Sequence, residues 1–93
     1  MTNHPRRSRS RLARYGARLR TIDGKRVVEM VDPNDNGRAR YQYQRHNDVV
    51  LRRVLSADGT TIVTDWVALT REELAALMRV RGEYHPILDP LGL

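Results

Sequence analysis

Pairs of residues that accept left-handed backbone punctuate the middle of this chain: Asp23-Gly24, Asn36-Gly37 and Asp58-Gly59, with Asn47-Asp48 between the last two. Asp-Gly and Asn-Gly close tight hairpins, because the favoured two-residue turns need positive φ and glycine adopts it without steric cost. The stretches between these turns are short and rich in β-branched or alternating side chains. The chain is therefore expected to reverse repeatedly into an antiparallel meander.

Four strands follow from this pattern. Residues 26–31 form a Val-rich run, and Pro33 helps the turn after it. Residues 38–46 alternate, with Ala39, Tyr41, Tyr43 and Arg45 on one face and Arg38, Arg40, Gln42, Gln44 and His46 on the other, so one face reads as apolar and the other as wet and basic. Residues 49–55 and 60–67 complete the set, the last carrying Trp66. Arg52 and Arg53 leave their strand by opposite faces, which implies an edge strand or a sheet with an open face, with Glu29 or Asp65 as pairing carboxylates.

Residues 11–22 fit two descriptions. Leu12, Tyr15, Leu19 and Ile22 recur at helical spacing, interrupted by Gly16, whose cost relative to Ala is about 1 kcal/mol. A first strand over 17–22 accounts for the same residues. Near the other end, Thr70 and Glu73 have the spacing of a capping box, Leu69 and Leu74 that of a hydrophobic staple, and Leu74, Leu77 and Met78 share a helical face, with Gly82 placed to end it. The last residues, 83–93, hold Pro86, Pro90, Ile87, Leu88, Leu91 and Leu93. This segment is expected to be extended and to pack on the sheet or on a second copy of the chain. The expected class is α+β: an antiparallel meander of four to five strands with one C-terminal helix, organised as a basic arm (1–16), a single domain (17–82) and an apolar tail (83–93).

Charge is distributed unevenly over this frame. The first twenty residues carry Arg6, Arg7, Arg9, Arg11, Arg14, Arg18 and Arg20 and no acid, whereas the rest holds ten basic and eleven acidic residues. Arginines that displace counterions from phosphates supply affinity for a polyanion without reading its sequence. Nucleic acid is the expected partner, single-stranded DNA or RNA ahead of a sequence-specific duplex, with Arg38, Arg40 and Tyr43 extending the contact surface beyond the arm. The alternative expectation is a small protein-interaction module, an adaptor or inhibitor of bacterial or phage type, that binds through an edge strand or the apolar tail.

Other chemistries find little support. There is no Cys, so disulfides and thiolate sites are excluded. No run approaches the roughly twenty apolar residues of a membrane span, and the arm lacks the apolar centre of a secretory signal. A cytoplasmic location without membrane association is expected, although an Arg-rich, acid-free arm also has features of an organellar transit peptide. Asp32, Asn34, Asn36 and Gly37 imitate half of a calcium loop, but Tyr43 stands where the bidentate Glu belongs, and a polar turn accounts for them. His4, His46 and His85 are isolated, with no third ligand or nucleophile. No catalytic set, metal or cofactor is expected.

The strand meander, its Asp-Gly turn and the junction Trp66-Val67-Ala68-Leu69-Thr70-Arg71-Glu72-Glu73-Leu74 resemble the single-stranded DNA-binding transcriptional coactivators over about the last half of the chain. The resemblance implies a basic arm and a helix-mediated homodimer. The family's lysine-rich strand surface has no counterpart here, since Lys25 is the sole Lys.

Overall fold

Asp23 and Gly24 both stand at positive φ, 52° and 77°, and form the two-residue loop between β1 (Ala17–Ile22) and β2 (Lys25–Val31). This is the mirror-image turn whose twist matches that of the strands it joins. The computed structural model describes residues 12–31, 37–80 and 82–93. Within them β3 (Ala39–His46), β4 (Val49–Ser56) and β5 (Ile62–Ala68) continue the meander, and α1 (Arg71–Arg79) follows. All neighbours are antiparallel in the order β1-β2-β3-β4-β5, so the fold is α+β as expected, with five strands.

Residues 17–22 are thus strand, not helix. Gly16, at φ 66°, closes the turn before them, and its carbonyl accepts the Val31 amide at 3.3 Å, extending the β1–β2 ladder. The Asn47-Asp48 loop joins β3 to β4 with Asn47 at φ 56°. The Asp58-Gly59 turn is tied by one carboxylate oxygen of Asp58, which accepts from Ser56 Oγ at 2.6 Å, Thr60 Oγ1 at 2.8 Å and Thr60 N at 3.0 Å. The half-calcium-loop residues 32–36 lie outside the described residues.

The register defines two faces. Leu19, Val28, Tyr43 and Arg52 form one cross-strand row, and Arg18, Glu29, Gln42 and Arg53 form the next, which pleating turns to the opposite side. The first face holds the core: Ala17, Val28 and Val50 meet Ile87 and Leu91 of the C-terminal segment, with Leu12, Met30, Tyr43, Leu69, Leu74 and Leu93 around them. Arg52 and Arg53 leave by opposite faces, as their adjacency required. Their strand is nonetheless interior, paired on both sides, and Arg53 is accommodated on the face away from the core by its bonds to Gln42.

The C-terminal segment is coiled and not extended. His85 Nδ1 accepts the amides of Ile87 and Leu88 at 3.1 and 3.2 Å, and the Asp89, Leu91, Gly92 and Leu93 amides donate to carbonyls three to five residues back. Arg26 donates to the Pro90 carbonyl, and Arg45 to those of Leu91 and Gly92. These bonds satisfy a backbone that two prolines bar from a regular ladder. Leu88 is completely buried beneath them.

The capping box forms: Thr70 Oγ1 accepts from the Glu73 amide at 3.1 Å and Glu73 Oε1 from the Thr70 amide at 2.8 Å. The stapling pair Leu69 and Leu74 packs on the core. Gly82 does not end the helix. Val80 is its C-cap at φ −88°, bonded to the Ala76 carbonyl, and Gly82 is not at positive φ.

Two urea-unfolding measurements check these assignments. Thr70→Ala should lower stability by about 1 kcal/mol, the cost of an exposed cap. Leu88→Ala should cost about 2–5 kcal/mol, because the C-terminal segment is a layer of the core; a loss no larger than that of Thr70→Ala would show it to be dispensable.

Candidate nucleic-acid interface

On the face away from the core, Glu29 of β2 is a carboxylate with only 3% of its residue surface exposed, within a polar row. An acid in that position requires compensating donors. Arg18 reaches it from β1 through Nε and Nη2, each 2.8 Å from Oε1. Arg20 Nη1 lies 3.1 Å from Oε2, Gln42 Nε2 donates to Oε2 at 2.9 Å, and Arg40 Nη1 stands 3.9 Å from Oε1. Burial pushes the Glu29 carboxyl up, but the Gln42 and Arg18 hydrogen bonds and the charges of Arg20 and Arg18 outweigh it and hold the group below its ordinary value of 4.5.

The row continues across the sheet. Gln42, itself buried, accepts from Arg53 Nε at 3.0 Å and Nη2 at 2.6 Å through Oε1, so both ends of its amide are engaged. The Arg53 guanidinium then lies over the Trp66 ring, 4.7 Å from its centroid. One carboxylate, one amide, four guanidiniums and one indole, drawn from all five strands, make a continuous surface. The guanidiniums outnumber the carboxylate, and Arg18 and Arg20 side chains remain 61% and 43% exposed. Such a surface offers charged donors to phosphates and a planar cation–aromatic pair to a ring.

The residues expected to bind divide accordingly. Arg18, Arg20 and Arg40 come together around Glu29, the first two as parts of β1 and not of a separate arm. Arg40 is steadied by donating to the Ala57 carbonyl at 2.6 Å. Arg38 is exposed just before β3. Arg14 lines a separate cleft of about 540 Å³ with Tyr15 and Tyr84, whose rings lie 5.9 Å apart. Tyr43 does not extend this surface: it lies on the opposite face, packed on the core, because its position in the alternation is out of phase with Arg40. Arg6, Arg7, Arg9 and Arg11 lie outside the described residues. Gln42, Arg53 and Trp66 were not expected in the site; the phase of Arg53 and Trp66 relative to Arg40 becomes visible only once β3, β4 and β5 are in register.

Among the described residues no group of three or more His, Cys, Asp or Glu is placed to hold a metal, and no helix is long and apolar enough to cross a membrane. His85 is buried, with Nδ1 engaged by the backbone as above, so its role is structural. No family model matches the chain, and no curated protein or solved structure matches it.

Glu29 gives this surface a pH signature. A carboxyl held below its ordinary value stabilises the fold above that value and loses the contribution as pH falls through the depressed one. Glu29→Gln should lower stability by about 2 kcal/mol at neutral pH, less than for a fully buried pair because the arginines are re-solvated easily. The gap between wild type and variant, followed by urea unfolding, should narrow below pH 4.5, the carboxyl's ordinary value. A gap independent of pH would mean that the charge of Glu29 contributes nothing.

Proposed function

We propose that this chain binds nucleic acid without catalysis, in the cytoplasm, through phosphate contacts of low sequence specificity. The observation that supports it is the convergence of Arg18, Arg20, Arg40 and Arg53 with Trp66 on one sheet face, in a chain whose first sixteen residues add Arg6, Arg7, Arg9, Arg11 and Arg14 and no acid. Guanidinium groups in that number form the electrostatic footprint of a polyanion site, and they favour flexible single strands, which adapt to a surface built of strands. Arg38, at the start of β3, extends the footprint.

A second reading is supported by β5. It is an edge strand with Ile62, Val63 and Val67 exposed to 50, 64 and 57%, and such an edge invites pairing with another chain, a second copy included. The apolar tail no longer serves this reading, because Ile87, Leu88 and Leu91 are consumed in the core.

Salt separates the two. In fluorescence anisotropy, labelled single-stranded DNA and RNA should bind the full chain with log K falling by about 0.7 per phosphate contacted for each unit of log salt. Replacing Arg6, Arg7, Arg9 and Arg11 by Ser should weaken binding and flatten that slope. Absence of binding at low salt would refute the nucleic-acid reading, whereas salt-insensitive self-association or capture of a protein would favour the edge strand.

A further inference from the structure

We propose that Arg53 and Trp66 form a stacking site for one unpaired base, with the flanking phosphates carried across the sheet to Arg40, Arg20 and Arg18. This rests on the nucleic-acid reading above and adds to it the atoms that tell a single strand from a duplex. Trp66 is half-buried at the β5 end of the polar row, beneath the Arg53 guanidinium and on the sheet face opposite the core cluster. A structural indole would be expected on the core side, where the aliphatic residues of the C-terminal segment gather; this one lies against the Arg53 guanidinium.

The pair is also held in advance. Arg53 is fixed by two bonds to Gln42 Oε1, and Gln42 is fixed by donating to Glu29, so the guanidinium plane is oriented before any ligand arrives. Freezing an arginine on binding otherwise costs side-chain entropy, and the relay removes that loss. Indole and guanidinium planes are the two protein surfaces on which splayed bases stack. A base inside a duplex has both its faces occupied and is excluded. From β1 to β5 the row spans four strand spacings, about 19 Å at about 4.8 Å each, so a short run of nucleotides crosses from Trp66 to Arg18. In this scheme Gln42 and Glu29 are positioning residues, and Arg53 and Trp66 touch the base.

Trp66 is the only tryptophan, so its emission reports on this site alone. Full-length protein is titrated with oligothymidine, with an abasic oligomer of equal charge and with a duplex, following Trp66 emission and the anisotropy of a labelled copy in parallel. Oligothymidine should quench Trp66 with the midpoint seen in anisotropy, and the abasic oligomer and the duplex should bind without quenching. One stacked base corresponds to about tenfold in affinity, so Trp66→Leu should bind oligothymidine about tenfold more weakly and no better than wild type binds the abasic oligomer. Trp66→Phe, which keeps a ring on the same fold, should recover most of the loss, and its unfolding curve guards against a merely misfolded variant. Binding in anisotropy with unchanged emission, or equal affinities for wild type and Trp66→Leu, would overturn the stacking site and leave the phosphate reading standing. Absence of anisotropy binding by every oligomer would overturn both.

Discussion

The burial of the Glu29 carboxylate is the constraint on which the rest of the sheet depends. A charge removed from water in a β-strand is tolerable only where neighbouring strands bring donors to it, and here β1 supplies Arg18 and Arg20 while β3 supplies Gln42 and Arg40. The pairing of Arg18 with Glu29, Glu29 with Gln42 and Gln42 with Arg53 is consequently a statement about register. A slip of one residue would turn Arg18 toward the core and strip Glu29 of its nearest partner. Hydrophobic pattern sets register on the core face, and hydrogen-bonded charge sets it on the other. Val28 is buried on the core face and Glu29 beneath its donors on the other, where Val27 is buried beside it.

The second layer of the domain comes less from the helix than from the segment beyond it. No residue of α1 is fully buried, and its hold on the sheet is Leu74 with the flanking Leu69, aided by Arg52 at 3.7 Å from Glu73. The C-terminal segment instead buries Ile87, Leu88 and Leu91, and Arg26 and Arg45 reach from β2 and β3 to its carbonyls. The arginines of the two faces thus do different work: those facing the C-terminal segment neutralise backbone dipoles and close the core, and those facing the other way gather around one acid.

What could be read from sequence was what local chemistry decides. The left-handed turns at Asp23-Gly24 and Asn47, the alternation of β3, and the capping box at Thr70 are each determined within a few residues, and each is present. The polar row was not legible, because its members are eleven to thirteen residues apart and meet only through register. Glu29 reads in isolation as a surface acid in a Val-rich strand. Gln42 and Gln44 read as solvated, yet both are buried, since satisfied amides are as admissible inside as aliphatics. Charge counted along the chain groups Arg18 and Arg20 with the arginines before them, a measure blind to the strand that pairs them with β2. The coiling of residues 83–93 depends on His85 acting as an acceptor for the backbone, a role that the spacing of prolines does not announce.

The same carboxylate that stabilises the sheet also conditions what the arginines do outward. Arg18 commits Nε and Nη2 to Glu29, and a guanidinium carries five N–H donors, so the edge turned to solvent still has donors to give. Arg53 likewise spends Nε and Nη2 on Gln42 and keeps its plane for Trp66. Each anchored arginine is therefore a half-used fork held in one orientation. An internal anion beneath such forks reduces the net charge they project and with it the long-range pull on a polyanion. It also removes the side-chain entropy that free arginines would lose on contact. The trade lowers the long-range field of the face and fixes the geometry of the donors that remain.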